Sequence, residues 1–121
     1  MTSLSDRRKS PRVAAELPIA VEGGPAEAAG KTLNISENGV YFEVPHFIEP
    51  LTKVRMELFI PAGTDPDGDG IRLGFDGVVV RVEPEDPAGH TGTFRVAVFF
   101  THVPEKSLAA LSAFIERNVS D

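Results

Sequence analysis

Cysteine is absent from all 121 residues, and so is tryptophan. Without cysteine there is no disulfide, no thiolate metal site and no cysteine nucleophile, which excludes a disulfide-stapled secreted scaffold. That is compatible with a reducing compartment, and the chain is expected to be cytoplasmic. No apolar run approaches the ~18 residues that a spanning helix needs. The charged first dozen residues are not followed by the apolar segment of a secretory signal. Membrane insertion is therefore not expected. His46, His90 and His102 are scattered without ligand spacing, so no metal site is expected among them. What is present is ordinary globular composition, 41% apolar and 25% charged, at a length that fits one domain.

Positive charge is scarce except in one place. The formal net charge is −6, yet Arg7, Arg8, Lys9 and Arg12 crowd the first twelve residues against Asp6 alone. The remaining 109 residues hold 8 basic and 17 acidic side chains. A general nucleic-acid binder spreads positive charge over a face of its fold. A short cationic arm on an acidic body instead suits a small, compact anion. Residues 1–12 show neither a 2.0 nor a 3.6 apolar period, which predicts a flexible arm, with residues 13–121 forming the folded domain.

From Val13 the pattern is that of strands. Leu17, Ile19 and Val21 alternate with polar or small residues up to Gly23-Gly24-Pro25, and Pro18 suggests an edge strand. Short strands follow at 31–35 and 40–44, then a strongly alternating one through Val54, Met56, Leu58 and Ile60. The turn sequence 61–70 leads to a long strand over 71–83, with Gly74 and Gly77 expected at bulges or a bend. A turn over 84–92 precedes a sixth strand at 94–100. At the end the period changes: Leu108, Leu111, Ile115 and Val119 recur at helical spacing, with Phe114 beside them. This predicts a helix over about 104–120 that caps the barrel or meets a partner. The fold class is thus mainly all-β, a small antiparallel barrel or sandwich closed by a C-terminal helix.

Two motifs carry candidate chemistry. Arg8 and Arg12 form an R-x-x-x-R, with Arg7 as a further guanidinium. Arginine forks match phosphate oxygens and guanine edges and stack on bases. Four extended positions span about 13 Å. The second motif is Asn34-x-Ser36-x-x-Gly39 between two strands. Its carboxamide can bond a guanine edge and its hydroxyl a phosphate or ribose. Gly39 permits positive φ or a close backbone approach. Each motif has a plain alternative, a solubilising tail for the first and an ordinary hairpin turn at Asn38-Gly39 for the second.

In this order, some twenty residues apart, the two motifs resemble the signature of PilZ domains. Asn34 to Phe42 (NISENGVYF), Gly77 to Arg81 (GVVVR) and Arg95 to Phe100 (RVAVFF) continue the likeness, as does the closing helix. The resemblance implies a six-stranded antiparallel PilZ-type barrel with a C-terminal α-helix that receives cyclic di-GMP and has no enzymatic activity or bound cofactor. It implies Arg8, Arg12, Asn34, Ser36 and Gly39 as ligand contacts, with Arg7 as an additional candidate. The arm would wrap the ligand against the barrel and signal to a protein effector, the chain acting as a monomer or homodimer. Asn34 stands where the family commonly has Asp. Arg81 lies in the resembling strand without an assigned contact.

Competing expectations are a PilZ-type protein adaptor with weak or no nucleotide binding, and a barrel for single-stranded nucleic acid. Both arginines of the arm are intact, against the first. The second needs exposed aromatics interleaved with basic residues, whereas the aromatics here mostly fall in apolar phase. Asp65, Asp67, Asp69 and Gly70 spell half a calcium loop, but Leu73 and Asp76 occupy its ninth and twelfth positions, where the twelfth requires a bidentate Glu. An acidic hairpin turn is the expected reading.

Overall fold

The computed structural model describes residues 12–23, 26–60 and 70–118. Its strands are β1 (Val13–Ala14), β2 (Pro18–Gly23), β3 (Ala26–Ile35), β4 (Gly39–Val44), β5 (Lys53–Ile60), β6 (Ile71–Glu83) and β7 (Phe94–His102), followed by helix α1 (Glu105–Asn118). Pairing runs β3-β2-β5-β6-β7-β4 and closes through β4–β3, all antiparallel, giving a six-stranded barrel. The two-residue β1 pairs with the end of β3, opposite Ile35 and Asn34. Closure removes the unpaired edges that an open sheet would present.

Alternation decides which face is buried. In β5, Val54, Met56, Leu58 and Ile60 are buried while Lys53, Arg55, Glu57 and Phe59 are exposed. One inward row crosses four strands, Thr32, Phe42, Val96 and Val82, each at most 1% exposed. Thr32, polar in this row, is satisfied: its hydroxyl accepts from the Leu17 amide at 2.9 Å and donates to the Ala15 carbonyl. The Phe75 and Phe100 rings stack with centroids 4.8 Å apart.

Three expectations change. Pro18 does not mark an edge, because β2 lies between β3 and β5; it is the first residue of its strand, and the β5 ladder begins at Ile19. Strand β3 begins at Ala26 rather than residue 31, since its alanine-rich first half pairs with β2 without an apolar alternation of its own. Gly77 sits at a register shift, but Gly74 pairs regularly with Glu57. The turn at 84–92 contains Gly89 and Gly92 with φ of 74° and 106°, values that glycine adopts without strain. Asp65, Asp67 and Asp69 lie outside the described residues.

Helix α1 lies against the barrel through Ser107, Leu111, Phe114 and Ile115. Its terminal charges, Glu105 in the first turn and Arg117 in the last, complement the helix dipole. Leu108, placed on the apolar stripe by its spacing, is 38% exposed, and Ser107 takes the buried position. The two positions therefore separate a lid from a free face. Ile115→Ala is expected to cost about 2–4 kcal/mol, and Leu108→Ala under about 1 kcal/mol, in denaturant unfolding. Equal costs would mean that Leu108 is packed too.

Candidate functional site

Backbone irregularities build the site. In β3 the register against β4 shifts between Thr32 and Asn34, leaving Leu33 extra; in β6 the register against β7 shifts between Val79 and Arg81, leaving Val80 extra. Bulges of this kind re-aim the side chains beside them. Downstream of both, one lateral row reads Asn34, Tyr41, Ala97, Arg81 across β3, β4, β7 and β6. Three interstrand spacings make the row about 14 Å long. Small Ala97 leaves a dip between Tyr41 and Arg81.

A groove of about 360 Å³ follows this row on the outside of the barrel. Arg12, Asn34, Asn38, Gly39, Tyr41 and Arg81 line it together with Val80 and Phe99. The last two are each 54% exposed, an apolar margin that the polar residues flank. Arg12 Nη1 donates to Asn34 Oδ1 at 2.6 Å. The end of the arm and the start of the strand motif, 22 residues apart in the chain, are thereby joined at one end of the groove.

The turn after β3 is organised by Ser36. Its side chain is buried; its hydroxyl accepts from the amides of Asn38 at 3.1 Å and Gly39 at 3.3 Å, and the Ser36 amide donates to the Gly39 carbonyl at 2.9 Å. Ser36 thus holds the turn from beneath. Gly39 is needed for proximity: a Cβ there would lie 2.4 Å from the Val98 carbonyl oxygen on β7. Gly39→Ala must push β4 and β7 apart at the groove floor. We expect a loss of about 1–3 kcal/mol in thermal unfolding. Unchanged stability would mean that this approach relaxes freely.

The turn is also tied to the helix. Ser112 of α1 donates to Glu37 Oε2 at 2.6 Å, so the motif loop and the barrel's lid share a direct contact. From β4, Tyr41 reaches across β7 towards the β6 end of the groove and donates its phenolic proton to Glu83 Oε1 at 2.7 Å. This bond holds the Tyr41 phenol above its ordinary pKa, with burial and the negative charge of Glu83 adding to it and Arg95 opposing. Arg81 Nε lies 3.9 Å from Glu83 Oε2, and its guanidinium sits 5.9 Å from the Tyr41 ring centroid.

Of the residues expected from sequence, the structure brings Arg12, Asn34 and Gly39 to the groove and places Ser36 under it. Arg7 and Arg8 lie outside the described residues. Tyr41, Val80, Arg81 and Phe99 are among the other residues that line the groove. Tyr41 and Phe99 had a faint signal, large rings out of the apolar phase of their strands. Val80 had none, since it stands in an unbroken run of three valines, 78–80, that shows no alternation.

The barrel is closed, and a partly cationic groove runs along its outer wall. The chain belongs to the PilZ domain family, whose model matches residues 6–117. No curated protein matches the sequence. Among solved structures, the Bacillus subtilis inhibitor of motility (MotI/DgrA) superposes with a TM-score of 0.72 at 18% identity over 92% of this chain. This chain spans 50% of the length of that Bacillus chain. The PilZ domain of YcgR from Escherichia coli, solved with c-di-GMP, gives 0.63 at 15% identity, covering 93% of this chain and 91% of its own. The PilZ domain of CeSA from a cellulose-synthesising bacterium gives 0.59 at 17% identity, covering 88% and 96%. At these identities the likeness is one of fold.

Proposed function

We propose that this protein is a non-enzymatic receptor for cyclic di-GMP. The observation that carries the reading is the Arg12–Asn34 bond, which unites the two motifs at one end of a groove that follows a row about 14 Å long. Family membership and the YcgR domain solved with c-di-GMP support it. Arg8 and Arg12 hold phosphates and guanine edges, with Arg7 as a further donor. Asn34 and the Gly39 backbone hold the ligand beside them, and Ser36 fixes the turn that presents them. Binding fixes the arm over the groove and presents a new surface to a protein effector. The Glu37–Ser112 bond gives the motif loop a direct route to the helix.

Calorimetric titration with cyclic di-GMP, GTP and a short oligonucleotide tests this. Saturable binding of cyclic di-GMP alone is expected, weakening as salt screens the charged contacts. Hydrogen exchange should then show new protection in residues 1–11 and 36–39. Absence of binding to any of the three would sink the receptor reading and leave the protein adaptor. Oligonucleotide binding would put the chain in a third class.

A further inference from the structure

Among the described residues two cations line the groove, and they are held differently. Arg12 rests on a neutral acceptor, the Asn34 carboxamide, while Arg81 faces a carboxylate, that of Glu83. Glu83 is itself anchored by the phenolic proton of Tyr41 at 2.7 Å. The outward row next to the groove reads Lys31, Glu43, Arg95, Glu83, with charges alternating in sign. Within it Arg95 pairs with Glu43, Nε to Oε2 at 3.5 Å, so Glu83 finds its cationic partner along its own strand, two residues back on the same face. An anion entering the groove meets Arg81 already engaged, with a fixed negative charge behind it. Taking Arg81 onto a phosphate or a guanine breaks its pair with Glu83 and brings the ligand's charge towards that carboxylate.

We propose that Glu83, steadied by Tyr41, limits the groove's affinity for its anionic ligand by competing for Arg81. This rests on the reading of the groove as a cyclic di-GMP site and adds to it a positioning residue that acts against binding. The pair is exposed, so its effect is modest; surface pairs of this kind amount to about a 2- to 5-fold change in an equilibrium constant. The direction is distinctive, because removing an acid from an acidic protein at random has no reason to act through one arginine.

The test is calorimetric titration of the full chain with cyclic di-GMP, comparing wild type, Glu83→Gln, Glu57→Gln, Arg81→Ala and the Arg81→Ala/Glu83→Gln double variant. Thermal unfolding serves to confirm that each is folded. Glu57 pairs with Arg72 on β5 and β6 outside the groove, so Glu57→Gln makes the same charge change elsewhere. Glu83→Gln should bind about 2- to 5-fold tighter, the gain shrinking as salt rises. Glu57→Gln should match wild type, and the gain should vanish in the Arg81→Ala background. Equal or weaker binding by Glu83→Gln overturns the proposal while leaving the receptor reading intact. So does an equal gain from Glu57→Gln, or a gain that persists without Arg81. No binding by wild type or by any variant overturns both.

Discussion

Replacing Arg12 by alanine should weaken cyclic di-GMP binding by ~10-fold or more and leave the melting temperature of the free protein nearly unchanged. Charge-assisted hydrogen bonds contribute about 1.5–3 kcal/mol each, and about 1.4 kcal/mol is a factor of ten in affinity. Arg12 is exposed, and its bond to Asn34 lies at the surface rather than in the core. Arg8→Ala is expected to act in the same direction on ligand affinity. The two measurements needed are a titration and a thermal scan on each variant. Wild-type affinity in both would remove the arm from the site. A large fall in melting temperature in Arg12→Ala would instead make its bond to Asn34 a structural tie between the arm and β3.

Truncating Phe42 should have the opposite profile. Its ring is 0% exposed, in the inward row with Thr32, Val96 and Val82, and β4 joins β3 to β7 to close the barrel. Phe42→Ala removes the largest fully buried side chain and leaves a cavity that paired strands on both sides cannot readily collapse. A cost of about 3–5 kcal/mol is expected, a large share of the ~5–15 kcal/mol that stabilises a domain. Urea unfolding should show a lower midpoint with little change in slope. At low temperature, where the variant is still folded, ligand affinity should be nearly retained, since Tyr41 and Asn34 point the other way. Full stability would show that this row is not the packed centre of the barrel.

The two outcomes separate what was legible in the chain from what was not. Alternation in 53–60 and 94–100, the change to helical spacing after Pro104 and the order of the two motifs are local properties. Each strand's pattern alone states which of its faces is apolar, and a barrel with a closing helix satisfies all of them together. The motif residues Arg12, Asn34 and Gly39 were legible for the same reason: their chemistry and spacing lie within short stretches. Their meeting at one groove was not. Asn34, Tyr41, Ala97 and Arg81 become neighbours only through pairing across four strands, and the extra residues Leu33 and Val80 decide that Asn34 and Arg81 face outward in that row. A bulge is a property of two strands, so no single strand announces it. Gly39 looked like a turn glycine, yet it is required by the Val98 carbonyl on a strand about sixty residues away. Ser36 reads as a ligand donor in the sequence, and only the fold shows its hydroxyl accepting from two amides of the turn. The sequence by itself determined the class of fold and the residue types available for an anionic ligand. Tertiary structure alone decided which of them share a wall, and that Glu83 and Tyr41 stand behind Arg81, because lateral contacts between strands follow register and closure rather than distance along the chain.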